Sequence, residues 1–379
     1  MTSAPPSPAP QLQTPLYALH QELGARMVDF SGYSMPLQYP AGLLAEHRQT
    51  REHASLFDVS HMGQISISGP LAASALETIL PADITGLELH KQRYTLLLNE
   101  TGGILDDLMV VNRGKDYLLI VNAACKAQDL QWIQHHIGTI CTVRALPDMA
   151  LLALQGPKAE EVIHTLLPET SPLFFMQGIP WSLPHMSGYI TRSGYTGEDG
   201  FEISLPAAQA ESLARLLLAS PYVQPAGLGA RNSLRLEAGL CLYGRDMNTG
   251  TTPSQAGLAW SIPKVRRLGG GREGGFPGAE VVLPQIAQHA PVHLLRVGLQ
   301  AQERIPVRDG TALHLPDGPQ IGTVTSGLLS PSLDMPIAMG YVTAPHHAIS
   351  TMLHAMVRGK PVPMEVVPMP FIGSRYRKS

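Results

Sequence analysis

Two stretches of this chain follow one plan, and that repetition limits the folds open to it. Residues 65–68 alternate Ile-Ser-Ile-Ser and predict a strand; Gly69-Pro70 ends it, and 71–80 has helical spacing. Residues 151–154 predict a second strand; Gly156-Pro157 ends it, and 159–167 has helical spacing. The first unit continues with strands at 108–111 and 117–121 around the turn Arg113-Gly114-Lys115, then a helix near 126–136. The second continues with a hairpin over 189–205 and a helix over 207–219, with Leu213, Leu216 and Leu217 on one face. Gly69 and Gly156 lie 87 residues apart, too far for a solenoid repeat, so the pattern predicts two copies of an α+β half.

From about Val281 short apolar runs alternate with Pro, Gly and Asp turns, which predicts an all-β barrel or jelly roll. The expected division is a disordered tail over 1–13 and a discontinuous α+β domain over 14–55 and 148–245. A second α+β domain follows over 56–147 and about 246–280, and a C-terminal β domain over 281–379. The tail is rich in Pro, Ser and Ala, carries no charge, and lacks the features of a signal or transit peptide. Gly269-Gly270-Gly271-Arg272-Glu273-Gly274-Gly275 predicts a flexible loop; without a Lys-Ser/Thr ending it is no P-loop.

A chain of 379 residues is long enough for two or three domains. Its formal charge of −3 and pI near 6.6 argue against a general nucleic-acid binder. No apolar run reaches the roughly 18 residues of a spanning helix. The odd count of three cysteines, with no Cys-x-x-Cys pair, fits a reducing cytoplasm. The paired histidines 135–136 and 346–347, and Pro291 between His289 and His293, predict no metal site.

The stretch Gly194-Tyr195-Thr196-Gly197-Glu198-Asp199-Gly200-Phe201-Glu202 carries three carboxylates between two strand-like runs, more than a turn requires. Upstream lie Asp58-Val59-Ser60-His61-Met62, Arg93-Tyr94-Thr95 and Gly102-Gly103-Ile104-Leu105-Asp106-Asp107-Leu108. Downstream lie the run 227–244 from Gly227-Leu228-Gly229-Ala230-Arg231, then Ile321-Gly322-Thr323-Val324-Thr325-Ser326-Gly327 and Ala338-Met339-Gly340-Tyr341-Val342. In this order and spacing the chain resembles, from about Thr14 to Tyr376, the T-protein family of the glycine cleavage system, the tetrahydrofolate-dependent aminomethyltransferases.

The resemblance implies three domains in a cloverleaf, with the two α+β halves around a central folate cavity. It also implies transfer of an aminomethyl group from the lipoyl arm of a partner H-protein to tetrahydrofolate as co-substrate, with no metal. By the same resemblance Asp107 is the catalytic carboxylate beside folate N5. Glu202 accepts hydrogen bonds from the pterin, Arg231 contacts folate, and Met62 lines the pterin pocket. Arg296 lies near the folate tail and Tyr376 closes the site. From side-chain chemistry, Tyr94 and Tyr195 can supply flat walls and Asn122 a polar liner, although each also suits an ordinary structural role. Arg231 can equally pair with Glu237 on the following helix. On a strand, neighbouring side chains face opposite ways, so only one of Asp106 and Asp107 is expected in the site.

Asn232, Arg245 and Gln128 depart from the family pattern. The basic runs 264–267 and 375–378 are solvated faces, or contacts for an acidic carrier or folate's glutamate tail. Two other classes share the fold. Folate domains of sarcosine- or dimethylglycine-oxidising enzymes carry a fused flavin domain, and a folate-binding scaffold for iron–sulfur cluster assembly carries a Lys-Gly-Cys-Tyr-x-Gly-Gln-Glu segment. This chain has neither signature. It is expected to act as a cytoplasmic monomer, without nucleic-acid or membrane partners.

Overall fold

The computed structural model describes residues 11–378. The repeat is visible as two sheets of one strand order. The five-stranded sheet runs Gln92–Leu98, Ile104–Asn112, Tyr117–Val121, Gly63–Ser68, Thr142–Ala145. The six-stranded sheet runs Gln177–Leu183, Met186–Arg192, Gly200–Pro206, Met149–Gln155, then Ala54–Asp58 and Val223–Pro225. In each, a three-strand meander pairs with the strand that precedes it in the chain. The difference is Ala54–Asp58, inserted antiparallel to Met149–Gln155 and parallel to Val223–Pro225. Gly69 and Gly156 share φ of 132°, a value open to glycine, and a Cβ on Gly156 would lie 2.3 Å from the His53 carbonyl.

The helices of the six-stranded half are buried on one face, except that Leu216, expected beside Leu213 and Leu217, points outward at 45% exposure and Ala210 and Ala214 complete the buried stripe instead. Ala159, Val162 and Ile163, and Ala210, Leu213, Ala214 and Leu217, point into one core with Leu152, Leu154, Phe201 and Ile203. The other faces of the sheets meet each other: Val111, Leu118 and Ile120 pack on Leu151, Ala153 and Tyr189, with Ala230 and Leu234 of the helix Leu228–Glu237. Six strands from Leu294–Ala301 to Lys360–Val367 close a C-terminal barrel. No helix among the described residues is long and apolar enough to cross a membrane.

Three expectations differ. The disordered tail lies mostly outside the described residues, but Leu12–Gln13 is a strand paired in parallel with Tyr33 and Ser34. Residues 279–286 form a helix rather than β structure. Val282 and Leu283 pack on Leu96, Leu98 and Ile104 of the five-stranded sheet, so barrel strands begin at Leu294. The glycine-rich loop is tied down, because Arg266 and Arg272 both reach Glu77 and Arg272 also reaches Asp83.

The helix Leu228–Glu237 joins the three parts. Glu237, fully buried, takes Arg51 Nη2 at 2.8 Å and His47 Nε2 at 3.2 Å from the first half. From the barrel it takes Ser330 Oγ at 2.5 Å and Ser332 Oγ at 2.8 Å. Burial alone would raise its carboxyl, but hydrogen bonds from His47, Ser330 and Arg51 hold it at about 2. Two residues earlier, Arg235 binds Asp246 at 2.6 Å and Ser326 at 2.9 Å. We predict that Glu237→Ala costs about 3–5 kcal/mol in urea unfolding, since Arg51 and His47 lose their counter-charge in a dry site. Because the folded value lies below the ordinary 4.5, this stabilisation is complete above 4.5 and is lost as pH falls towards 2.

Candidate functional site

The 194–202 stretch looked over-supplied with acid, and the structure divides its three carboxylates by task. Glu198 pairs with Arg51 at 2.8 Å and Arg375 at 3.3 Å, and Asp199 pairs with Arg192. Glu202 has no ion pair among the described residues. It sits on Gly200–Pro206 opposite Thr191 and Ala153, where Ser193 Oγ donates to its Oε2 at 2.5 Å and no donor among the described residues reaches Oε1. It is half-buried.

Arg231, near the start of the helix Leu228–Glu237, faces this carboxylate. Its guanidinium carbon lies 4.7 Å from the centre of the Tyr195 ring, and it forms no ion pair among the described residues. Burial lowers its pKa, opposed by the nearby Tyr195 and Glu202. The alternative pairing with Glu237 does not occur, because Glu237 is occupied by Arg51 and His47. The Tyr195 hydroxyl donates to the Cys241 carbonyl. Burial raises this phenol, and the charges of Arg235, Asp107 and Arg231 then act on it. Tyr195 thus stands between Arg231 and Asp107, which come from different halves.

Asp107 lies on Ile104–Asn112, paired with Leu96. Tyr94 donates to its Oδ2 at 3.1 Å and Asn122 Nδ2 to its Oδ1 at 2.8 Å. Burial and then the charge of Asp106 push it up to about 7, against the lowering effect of the Tyr94 and Asn122 hydrogen bonds. A carboxyl placed there can hold or release a proton near neutrality. Strand alternation separates the two aspartates as expected: Asp106 is fully buried and Asp107 half-buried. Asn122 nevertheless touches both, because it follows the neighbouring strand Tyr117–Val121 and its amide spans the sheet end.

The remaining residues are more dispersed. Met62 packs half-buried against the apolar layer between the sheets. Tyr376 stacks on Phe175 with ring centres 4.0 Å apart, and it is anchored by Arg375 N donating to the Gly197 carbonyl at 2.8 Å. Burial, then the opposing charges of Arg51 and Glu198, leave its phenol raised to about 12. Arg296 clamps the Ala256 carbonyl at 2.7 Å and the Gly239 carbonyl at 3.1 Å. The basic runs are largely committed as well: Arg266 to Glu77, Arg267 to backbone carbonyls, and Arg377 to Glu160. Asn232 accepts from Arg235 at 3.0 Å, and Arg245 pairs at the surface with Asp309.

Sequence reasoning missed Trp260, which is 62 % exposed and stacks on Tyr94 at 5.3 Å between ring centres. No motif marks it in the sequence; it lies in the short 3-10 helix Ala259–Ser261, and its place beside Tyr94 depends on tertiary packing. A separate cavity of about 270 Å³ opens between 245–255 and the barrel, lined by Asp246, Thr251, Thr325 and Tyr341. None of the sequence-derived site residues lines it.

A family model described as "GCVT N-terminal domain" matches residues 16–266, and one described as "Glycine cleavage T-protein C-terminal barrel domain" matches 295–372. The chain is 42% identical over 383 residues to a protein of Dictyostelium discoideum named "Aminomethyltransferase, mitochondrial", covering 97% of this chain and 94% of that one. It is 43% identical over 373 residues to a Homo sapiens protein of the same name, covering 96% and 91%. The crystal structure of glycine cleavage system aminomethyltransferase T from Bartonella henselae superposes with a TM-score of 0.90 at 43% identity, covering 97% of this chain and 99% of that one.

The raised Asp107 carboxyl has a stability signature. Its folded value of about 7 exceeds the ordinary 3.8, so ionising it costs the folded state. That cost is absent below 3.8, grows through the interval and is complete above about 7. Asp107→Asn is expected to be more stable than wild type by on the order of 2 kcal/mol in urea at alkaline pH, discounted for partial exposure. The two proteins are expected to converge in acid below 3.8.

Proposed function

The chain belongs to the T-protein family of the glycine cleavage system, the aminomethyltransferases, and from that premise we propose how its residues divide the work. The protein transfers the aminomethyl carbon from the lipoyl arm of H-protein to tetrahydrofolate, releasing ammonia and forming 5,10-methylenetetrahydrofolate.

In our reading Asp107 is the acid–base group. What supports this is the contrast between two carboxyls whose charges both bear on the Arg231–Tyr195 pair. Asp107 has no ion pair among the described residues and titrates near neutrality, while Glu202 has one oxygen without a donor among the described residues. These residues fit a reduced pterin. Glu202 can accept from an amino group and a ring N–H side by side, Tyr195 and Tyr94 present flat faces, and Arg231 offers an uncommitted guanidinium. Bound there, tetrahydrofolate would supply the N5 amine that takes up the aminomethyl carbon.

Tyr94 and Asn122 fix the two Asp107 oxygens, so the carboxyl holds or accepts a proton from one direction. Tyr94, with Trp260 stacked on it, covers the Oδ2 side of this carboxyl, and Met62 we assign to the pterin pocket. We assign Tyr376 to the Glu202 side of the site, where the charge of Glu202 acts on its phenol. Arg296 we assign to shaping the nearby backbone through its carbonyl contacts.

We further propose three domains divided much as the sequence suggested, action as a monomer without metal, and no nucleic-acid or membrane partner. Three buried, unpaired cysteines support a reducing compartment, for which we propose the cytoplasm; the named relatives carry mitochondrial names. Asp107→Asn is expected to bind tetrahydrofolate with little loss yet turn over roughly 10²–10⁴-fold more slowly in an assay with aminomethyl-loaded carrier. Wild-type turnover in that variant would remove Asp107 from its role. Glu202→Ala is expected to weaken folate binding about 10- to 100-fold in equilibrium titration.

A further inference from the structure

Behind Asp107 the structure holds two more carboxyls that no step above uses. Asp106 is fully buried and Asp129, in the first turn of the helix Lys126–Ile137, is 1% exposed. Asn122 donates to Asp106 twice, from its backbone N at 3.0 Å to Oδ2 and from Nδ2 at 2.8 Å to Oδ1. The same Nδ2 reaches Asp107 Oδ1 at 2.8 Å. Asp106 also lies within hydrogen-bonding reach of the Asp129 carboxyl and the Cys125 thiol. The other Asp129 oxygen, Oδ2, is buried without a partner.

No Lys, Arg or His forms an ion pair with Asp106, Asp107 or Asp129 among the described residues. Lys126, on the same helix, points away, its Nζ on the Tyr33 hydroxyl at 2.5 Å and the His61 carbonyl at 3.1 Å. The other titratable groups around the three carboxyls are Tyr94, Tyr195, Cys125, Cys241 and Tyr243, all of which burial keeps protonated at neutral pH.

We propose that Asp106 and Asp129 share one proton, and that this pair positions Asn122 and places a fixed single negative charge beside Asp107. Two buried acceptors at hydrogen-bonding distance repel unless a proton lies between them. The donor set decides where it resides. Asp106 receives from the Asn122 backbone, the Asn122 amide and Cys125, so it carries the charge; Asp129, with an unpartnered oxygen, carries the proton and donates it to Asp106. Asp106 is thereby locked and in turn locks the Asn122 amide onto Asp107. Its charge, next to Asp107 in the chain and unscreened by any cation, disfavours ionisation of Asp107. Asp106 and Asp129 are therefore positioning residues.

This inference rests on the acid–base reading of Asp107, and two measurements separate them. The first is the pH dependence of kcat for aminomethyl transfer in wild type, Asp107→Asn, Asp106→Asn and Asp129→Asn. Asp106→Asn removes the neighbouring charge, so the acid limb is expected to move to lower pH by about 1. Well below the wild-type limb it then retains about ten times more of its own plateau rate. Asp129→Asn keeps a donor towards Asp106 and its charge, so its limb is expected to stay in place.

A wild-type limb that disappears in Asp107→Asn but is unmoved in Asp106→Asn would leave the acid–base reading intact and overturn the pair's role. Full turnover in Asp107→Asn would instead defeat the acid–base reading. The second measurement needs no turnover: infrared difference spectroscopy of wild type against Asp129→Asn above neutral pH. A protonated-carboxyl band in wild type that Asp129→Asn lacks is the expected result, and no such band in wild type would overturn the proposal.

Discussion

The buried carboxylate of Glu237 is the contact on which the arrangement of this molecule turns. It sits at the end of a helix that packs against both sheets and the barrel, and it collects Arg51, His47, Ser330 and Ser332 from otherwise separate parts of the chain. An ion in a dry interior is expensive unless nearly every lone pair is used. Here they are used, so the geometry that satisfies Glu237 is the geometry that seats the barrel on the halves. Arg231 rides on the same helix, two turns back, so the network that fixes the helix also fixes the guanidinium above Tyr195.

Against that background the carboxyls around Asp107 are of a different kind. Glu77, Glu198, Asp246 and Glu237 are each buried in an ion pair with an arginine. Asp106, Asp107 and Asp129 are buried against amides, hydroxyls, a thiol and one another. Stability alone favours counter-ions or apolar replacements at such positions. A poised proton requires the opposite arrangement, and the carboxyls around Asp107 have it.

Much of this was legible in the sequence, for identifiable reasons. The two Gly-Pro breaks at Gly69 and Gly156 marked the repeat because a positive φ and a strand-to-helix turn leave a strong local trace. Asp107, Asn122 and Glu202 stood out as candidates because their segments keep a distinctive local order. The tie between Arg51 and Glu237 was not, since it joins residues far apart whose contact depends on tertiary packing. The same holds for Asp129, which meets Asp106 only through the pairing of Ile104–Asn112 with Tyr117–Val121 and the first turn of the next helix. The helix Ala279–Ile286 was missed because an apolar run broken by Pro284 reads locally as strand and turn, and burial against Leu96 and Ile104 overrides that.

The inserted strand Ala54–Asp58 has a consequence for how the chain is made. The five-stranded sheet draws every strand from 63–145 and can close as soon as that stretch is complete. The six-stranded sheet cannot: Ala54–Asp58 is synthesised before it, yet its two neighbours, Met149–Gln155 and Val223–Pro225, come after. On a ribosome the inner half is therefore finished while an internal strand of the outer half waits unpaired, and the outer sheet then forms on both sides of that strand. The barrel serines that bind Glu237 emerge later still, so the last region synthesised seals the joint that holds the first.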